Sequence, residues 1–144
     1  MKYVFFVDLF AYNKLKYTIL EDKYIRLPNG PVPSFGLDYT TPNSFPGNNG
    51  KDFTMHRVSE ENGRYYYYKF DLAEGIKPNL TLYFSPVEQD LLNLTLKMIQ
   101  THSARYLSEY THGLSLWKDH ETSEIIKTQE FSLPPDEMED LESL

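Results

Sequence analysis

Apolar residues crowd the start of the chain: Tyr3, Val4, Phe5, Phe6, Val7, Leu9, Phe10, Tyr12 and Leu15. On a helix they cover nearly the whole circumference, and a helix apolar all round is a buried one. A central helix is therefore expected over 3–15. Tyr24 to Leu27 reads as a short extended stretch. Beyond it Pro28, Pro31 and Pro33 bar regular helix, because each fixes φ and biases the preceding residue toward extended geometry. Residues 34–52, with Gly36, Gly47, Gly50 and two prolines, read as an exposed loop.

The period then changes. Phe53–Val58 and Tyr65–Leu72 read as the strands of a hairpin, turned at Asn62-Gly63, a pair that readily takes positive φ. Strand alternation puts Tyr66, Tyr68, Phe70 and Leu72 on one face and Tyr65, Tyr67, Lys69 and Asp71 on the other. Leu80–Phe84 is a candidate third strand. Ser85-Pro86-Val87-Glu88 carries a capping box with proline at the first helical position. Val87, Leu91, Leu94 and Met98 then recur at helical spacing, with Leu92 and Ile99 beside them, so a helix is expected over 86–100. A second, over 103–111, is capped by Thr101 or Ser103. Residues 112–120 read as irregular, and 121–129 as a short strand or helix. After Pro134-Pro135 the pattern fits one acidic helical turn or a disordered end. These elements make an α+β fold: a mainly helical single domain with a small antiparallel β-sheet, the hairpin at about 53–72. The expected division is a domain over 1–129 and an acidic C-terminal tail over 130–144.

A length of 144 residues fits one domain. The absence of cysteine excludes disulfides, thiolate catalysis and cysteine-ligated metal centres. It also fits a reducing compartment. No apolar run is long enough to cross a membrane, and Asp8 interrupts the only stretch that resembles a leader. A cytoplasmic protein with no membrane partner is the expectation. The net charge of −7 is uneven: six acids and no Lys or Arg follow Lys127, leaving 15 acids against 14 bases in residues 1–127. A body this balanced gains little from counterion release, so no nucleic-acid partner is expected.

The candidate chemistry is sparse. His56, His102, His112 and His120 match no zinc spacing. No serine lies in a GxSxG elbow and no glycine-rich phosphate loop is present. The Tyr65–Tyr68 run could stack bases, but a strand splits it between two faces, so hairpin packing is favoured. No catalytic residue, metal or cofactor is expected. The alternative from another class is a metal-dependent hydrolase or acid–base enzyme built on Glu109, His112, Asp119 and His120. Trp117 reads as a large residue plugging the core where the chain leaves a helix. His112 reads as closing a helix C-terminus, where imidazolium meets exposed carbonyls.

Three ordered segments remain. Val4-Phe5-Phe6-Val7-Asp8-Leu9-Phe10 places an acid inside the apolar helix. Tyr24-Ile25-Arg26-Leu27-Pro28-Asn29-Gly30-Pro31-Val32-Pro33 follows. Leu107-Ser108-Glu109-Tyr110-Thr111-His112, with Trp117 just beyond, comes about eighty residues later. Together they resemble the Panacea domain, the SocA-like antitoxin family of bacteria and their phages, over roughly residues 1–120. Compared with that family the chain is expected to lack a first N-terminal helix, and Asn29 stands where an aromatic is common. The resemblance implies a phage-associated or bacterial toxin–antitoxin protein whose partner is a cognate protein toxin, neutralised by direct binding. It also admits a proteolytic adaptor that delivers the toxin to a protease, a phage or host modulator of the same fold, and a homo-oligomer. The residues it marks are Asp8, Tyr24, Arg26, Gly30, Pro31, Val32, Pro33, Thr111, His112 and Trp117.

Overall fold

A computed structural model of the chain describes residues 1–40, 53–59 and 66–144. The fold is α+β, mainly helical, with small antiparallel sheets. Chain contacts divide it into two compact units, residues 1–37 with 80–144, and residues 38–79.

The larger unit is built around α1 (Lys2–Leu15). Its consecutive residues Phe5 to Ala11 are all buried, as expected of a helix apolar all round. The helix ends where Lys16 turns left-handed, at φ 68°, and its N–H returns to the Tyr12 carbonyl at 3.0 Å. Beside α1 lies a sheet of β1 (Tyr24–Leu27), β2 (Gly30–Pro33) and β5 (Ile125–Ile126), in the order β2-β1-β5. Helix α2 (Ser34–Thr40) follows β2 directly, so the loop expected from residue 34 begins as helix. Asp22 holds that turn, accepting from the N–H groups of Phe35 and Gly36 at 2.9 and 2.8 Å.

Pro86–Thr101 forms α3, with the expected capping box: Ser85 Oγ accepts from Glu88 N at 3.4 Å and Glu88 Oε2 from Ser85 N at 2.7 Å. Its buried face differs from the expected stripe. Leu91, Leu92, Thr95 and Met98 are buried, whereas Val87 and Leu94 are exposed. Thr95 can sit inside because its hydroxyl donates to the Leu91 carbonyl at 2.8 Å, leaving no unpaired polar group. Leu80–Leu82 is a 3₁₀ turn rather than a third strand. Helix α4 (Ala104–Gly113) is capped by Ser103, which accepts from Tyr106 N at 3.1 Å. The stretch read as irregular contains one more short helix, α5 (Ser115–Lys118).

The acidic end is structured too. A 3₁₀ turn at Thr128–Phe131 leads into α6 (Pro135–Glu142), two turns rather than one. Phe131, Leu133 and Leu141 join the same buried cluster as Phe5, Phe6, Leu9 and Phe10. Asn13 on α1 clamps this segment: its Nδ2 donates to the Phe131 carbonyl at 2.7 Å and its Oδ1 accepts from Leu133 N at 3.0 Å.

In the second unit β3 (Phe53–Ser59) pairs antiparallel with β4 (Tyr66–Leu72), with Phe53 opposite Leu72 and Ser59 opposite Tyr66. The expected Asn62-Gly63 turn lies outside the described residues. Tyr66 and Tyr68 share a face, their ring centroids 5.8 Å apart, as strand alternation requires. The Arg57 guanidinium lies over the Tyr66 ring at 4.2 Å. Among the described residues no helix is long and apolar enough to cross a membrane.

Candidate functional site

The β1–β2 hairpin is the first part of the site. Leu27 faces Gly30, so Pro28 and Asn29 form a two-residue turn. Proline in a strand usually removes a ladder bond. Here it removes none. Arg26 N and O bond outward to Glu124 O and from Ser123 N, at 2.9 and 2.8 Å, on the β5 side. Antiparallel pairs alternate between bonded and non-bonded. The pairs Arg26–Pro31 and Tyr24–Pro33 are therefore the non-bonded ones, and Val32 carries the ladder between them. Pro-Val-Pro on an edge strand is thus a rigid extended segment.

Gly30 shows why this turn needs glycine. Its φ is +106°, a conformation side chains rarely adopt. A Cβ placed there would meet Thr111 Oγ1 at 2.5 Å, and Lys2 Nζ closer still. Lysine can swing away, but a buried threonine cannot. Gly30→Ala should cost about 2–4 kcal/mol through strain and overpacking. A fall in thermal midpoint of several degrees, read by circular dichroism, checks this.

Three segments meet at Gly30. From α1, Lys2 Nζ donates to the Asn29 carbonyl at 2.7 Å and to Thr111 Oγ1 at 2.9 Å. From α4, Ser108 Oγ donates to the same Asn29 carbonyl at 2.8 Å, and Thr111 Oγ1 donates to the Ser108 carbonyl at 2.8 Å. Thr111 is fully buried. Burial pushes the Lys2 ammonium down to about 8.

Trp117 closes the other side of the turn. Its indole N–H donates to the Leu27 carbonyl at 3.1 Å. The Arg26 guanidinium lies 3.9 Å from its ring centroid, and the His112 ring stacks on it at 4.2 Å and 27°. Arg26 also donates to Thr122 Oγ1. Trp117 is half-buried, so it pins the hairpin to α4 and α5 at the rim of the core instead of plugging its centre.

Asp8 and Tyr24 sit deeper. Asp8 is fully buried, accepting from Leu20 N at 2.7 Å and from the Tyr24 hydroxyl at 2.8 Å. Burial raises its carboxyl above the ordinary range, opposed by these hydrogen bonds and by backbone N–H groups at Ile19 and Asp22. Burial also raises the Tyr24 phenol, reinforced by the neighbouring Asp8 charge. This pair ties α1 to the start of β1.

The marked residues thus have two placements. Asp8, Tyr24, Gly30, Pro31, Pro33 and Thr111 are buried and hold the framework. Arg26, Val32, His112 and Trp117 are half-buried and reach the surface. Lys2 and Ser108 also meet at this junction, and neither is among the residues the resemblance marks. A lysine heading an otherwise apolar helix was the one available signal for Lys2.

The sequence of this framework matches a family described as antitoxin SocA-like, Panacea domain, over residues 1–118. The chain belongs to this SocA-like Panacea family. No curated protein and no solved structure gives a significant match. All three segments that carry the Panacea resemblance lie inside the matched region. The four histidines of this Panacea protein go separate ways. His112 stacks on Trp117, His102 on Tyr106 at 5.0 Å, His120 Nε2 faces Glu130 Oε2 at 3.3 Å, and His56 Nε2 lies 3.2 Å from Thr54 Oγ1. Among the described residues no group of three or more His, Asp or Glu could hold a metal ion.

Proposed function

We propose that this protein is an antitoxin that neutralises a cognate toxin by direct protein–protein binding, through the surface formed by the β1–β2 turn, α4 and Trp117. One observation carries the reading. Family-motif segments eighty residues apart in sequence are locked into one rigid junction, with Arg26, Val32, His112 and Trp117 left at its surface. Tryptophan and arginine are the residues that most often anchor protein interfaces, and pre-stacking fixes them before a partner arrives. Neutralisation of this kind needs a complementary surface and no catalytic group. Membership of an antitoxin-like family supports the same reading.

The test is co-expression of the tagged full chain with the product of the adjacent gene, scored by pull-down and by growth. A stoichiometric complex with growth rescue is expected. Trp117→Phe keeps a ring against Arg26 and His112 but loses the indole N–H to Leu27. It should cost about 1 kcal/mol of stability. It should also weaken the complex, because indole is the stronger partner for a guanidinium. Rescue accompanied by loss of the toxin polypeptide would instead mark an adaptor for proteolysis. Absence of both complex and rescue would overturn the proposal.

A further inference from the structure

A cleft of about 550 Å³ opens beside the same junction, lined by Lys2, Asn29, Arg105, Ser108, Glu109 and His112. Its charges are unevenly matched. Arg105 and Glu109 neutralise each other through a 2.8 Å ion pair on one exposed wall. Lys2 has no such partner. Its ammonium carries three donors, and the two that are used go to neutral oxygens, Asn29 O and Thr111 Oγ1. No carboxylate pairs with it among the described residues. The His112 ring also lines the cleft, and its Nε2 is buried with no hydrogen-bond partner among the described residues. A partly buried cation held in place by two acceptors, next to an unused imidazole, is a preorganised receptor for a single anion. The position suits a carboxylate, which would take the third Lys2 proton and an imidazole N–H together.

We propose that this cleft receives an aspartate or glutamate side chain of the partner protein, gripped by Lys2 and His112. This rests on the antitoxin reading and names the chemistry that the toxin must present. The ion pair across the cleft leaves Glu109 occupied, so it does not compete for Lys2. The desolvated ammonium gains most from a carboxylate that completes its coordination, so the contact sets specificity as well as affinity.

The test has two arms on the full chain. In the first, N-acetyl-aspartate amide is titrated into the protein, with N-acetyl-asparagine amide as neutral control, and resonances of the Lys2 Cε and His112 ring are followed by NMR. Saturable shifts at both, only with the acid, are expected, and Lys2→Met should abolish those of the His112 ring. Lys2→Gln, which keeps a polar head without the charge, should abolish them too and guards against loss of folding. His112→Phe preserves the stack on Trp117 and should weaken binding several-fold. In the second arm the co-expressed complex is challenged with Lys2→Met, with Lys14→Met at the far end of α1 as control. A loss of roughly tenfold or more in affinity is expected for Lys2 alone. Probe binding without any complex would sustain the acid site and remove the antitoxin reading. A complex indifferent to Lys2, with no probe binding, would overturn the acid site and leave the antitoxin reading standing. Inorganic phosphate displacing the probe at lower concentration would overturn the carboxylate assignment in favour of a phosphoryl group.

Discussion

Removing residues 130–144 is expected to abolish folding, although this segment carries six acids and looks like a solvated tail. Phe131 explains why. It is fully buried and meets Phe5 at 5.7 Å, Tyr24 at 5.1 Å and Tyr12 at 6.4 Å between ring centroids. Leu141, also fully buried, belongs to the same buried cluster as Phe10 and Met98. Glu137 caps α5, accepting from Ser115 N at 2.8 Å and from its hydroxyl at 3.0 Å. The truncation strips an aromatic lid from α1 and leaves the Asn13 amide with two of its partners gone. Phe131→Ala alone should cost about 3–5 kcal/mol. That is a large fraction of the roughly 5–15 kcal/mol that holds a domain of this kind. Urea unfolding followed by tryptophan fluorescence measures the single substitution. Near-ultraviolet circular dichroism reports whether the truncated chain keeps packed aromatics. A truncated chain with a native spectrum and an unchanged melting curve would contradict this account.

Asp8→Ala is expected to be the most damaging substitution within α1, at about 3–5 kcal/mol, because buried donors would lose their acceptor. The amide of Leu20 and the hydroxyl of Tyr24 both point at this carboxylate. Asp8→Asn keeps an acceptor oxygen and should cost less, about 1–2 kcal/mol. The pair of variants also separates charge from shape. Burial raises the folded carboxyl above its ordinary 3.8, so the folded state holds its proton to higher pH than the unfolded chain does. The stability this contributes is fully present below pH 3.8 and is lost as pH rises through the folded value. The wild-type advantage over Asp8→Asn should therefore shrink as pH rises from about 3 to about 7. Equilibrium unfolding of both proteins across that range measures it. An advantage that grows with pH would mean that hydrogen bonding, not burial, dominates at Asp8.

Helix α1, the capping box of α3, Ser103 as one of two N-cap candidates for α4, and the hairpin strands β3 and β4 were all legible in the sequence. Each rests on short-range physics: side-chain period, a serine and a glutamate three residues apart, or alternation along a strand. The sequence was misleading where a local rule met a tertiary partner. Pro31 and Pro33 barred helix and favoured extended chain, but nothing local says that their missing N–H groups fall on the non-bonded pairs of an edge strand. Val87 and Leu94 read as core, while Thr95 is buried because Leu91 supplies its acceptor. The acid count of the last fifteen residues hid Phe131, Leu133 and Leu141, three apolar positions that find their partners only across the fold.

The site divides the same way. By itself the sequence determined the identity of the motif residues and their membership of one antitoxin-like family, because residue types in fixed order survive without coordinates. It also settled the absence of cysteine chemistry and the near-neutral charge of the body. Only the tertiary structure decided that Gly30 is glycine because Thr111 lies against it, and that Trp117 holds Leu27 from ninety residues away. It alone placed Lys2 at the cleft that Ser108 and His112 line. The reason is distance along the chain: pattern and propensity act over a few residues. The contacts that make this surface join residues from about eighty to over one hundred positions apart.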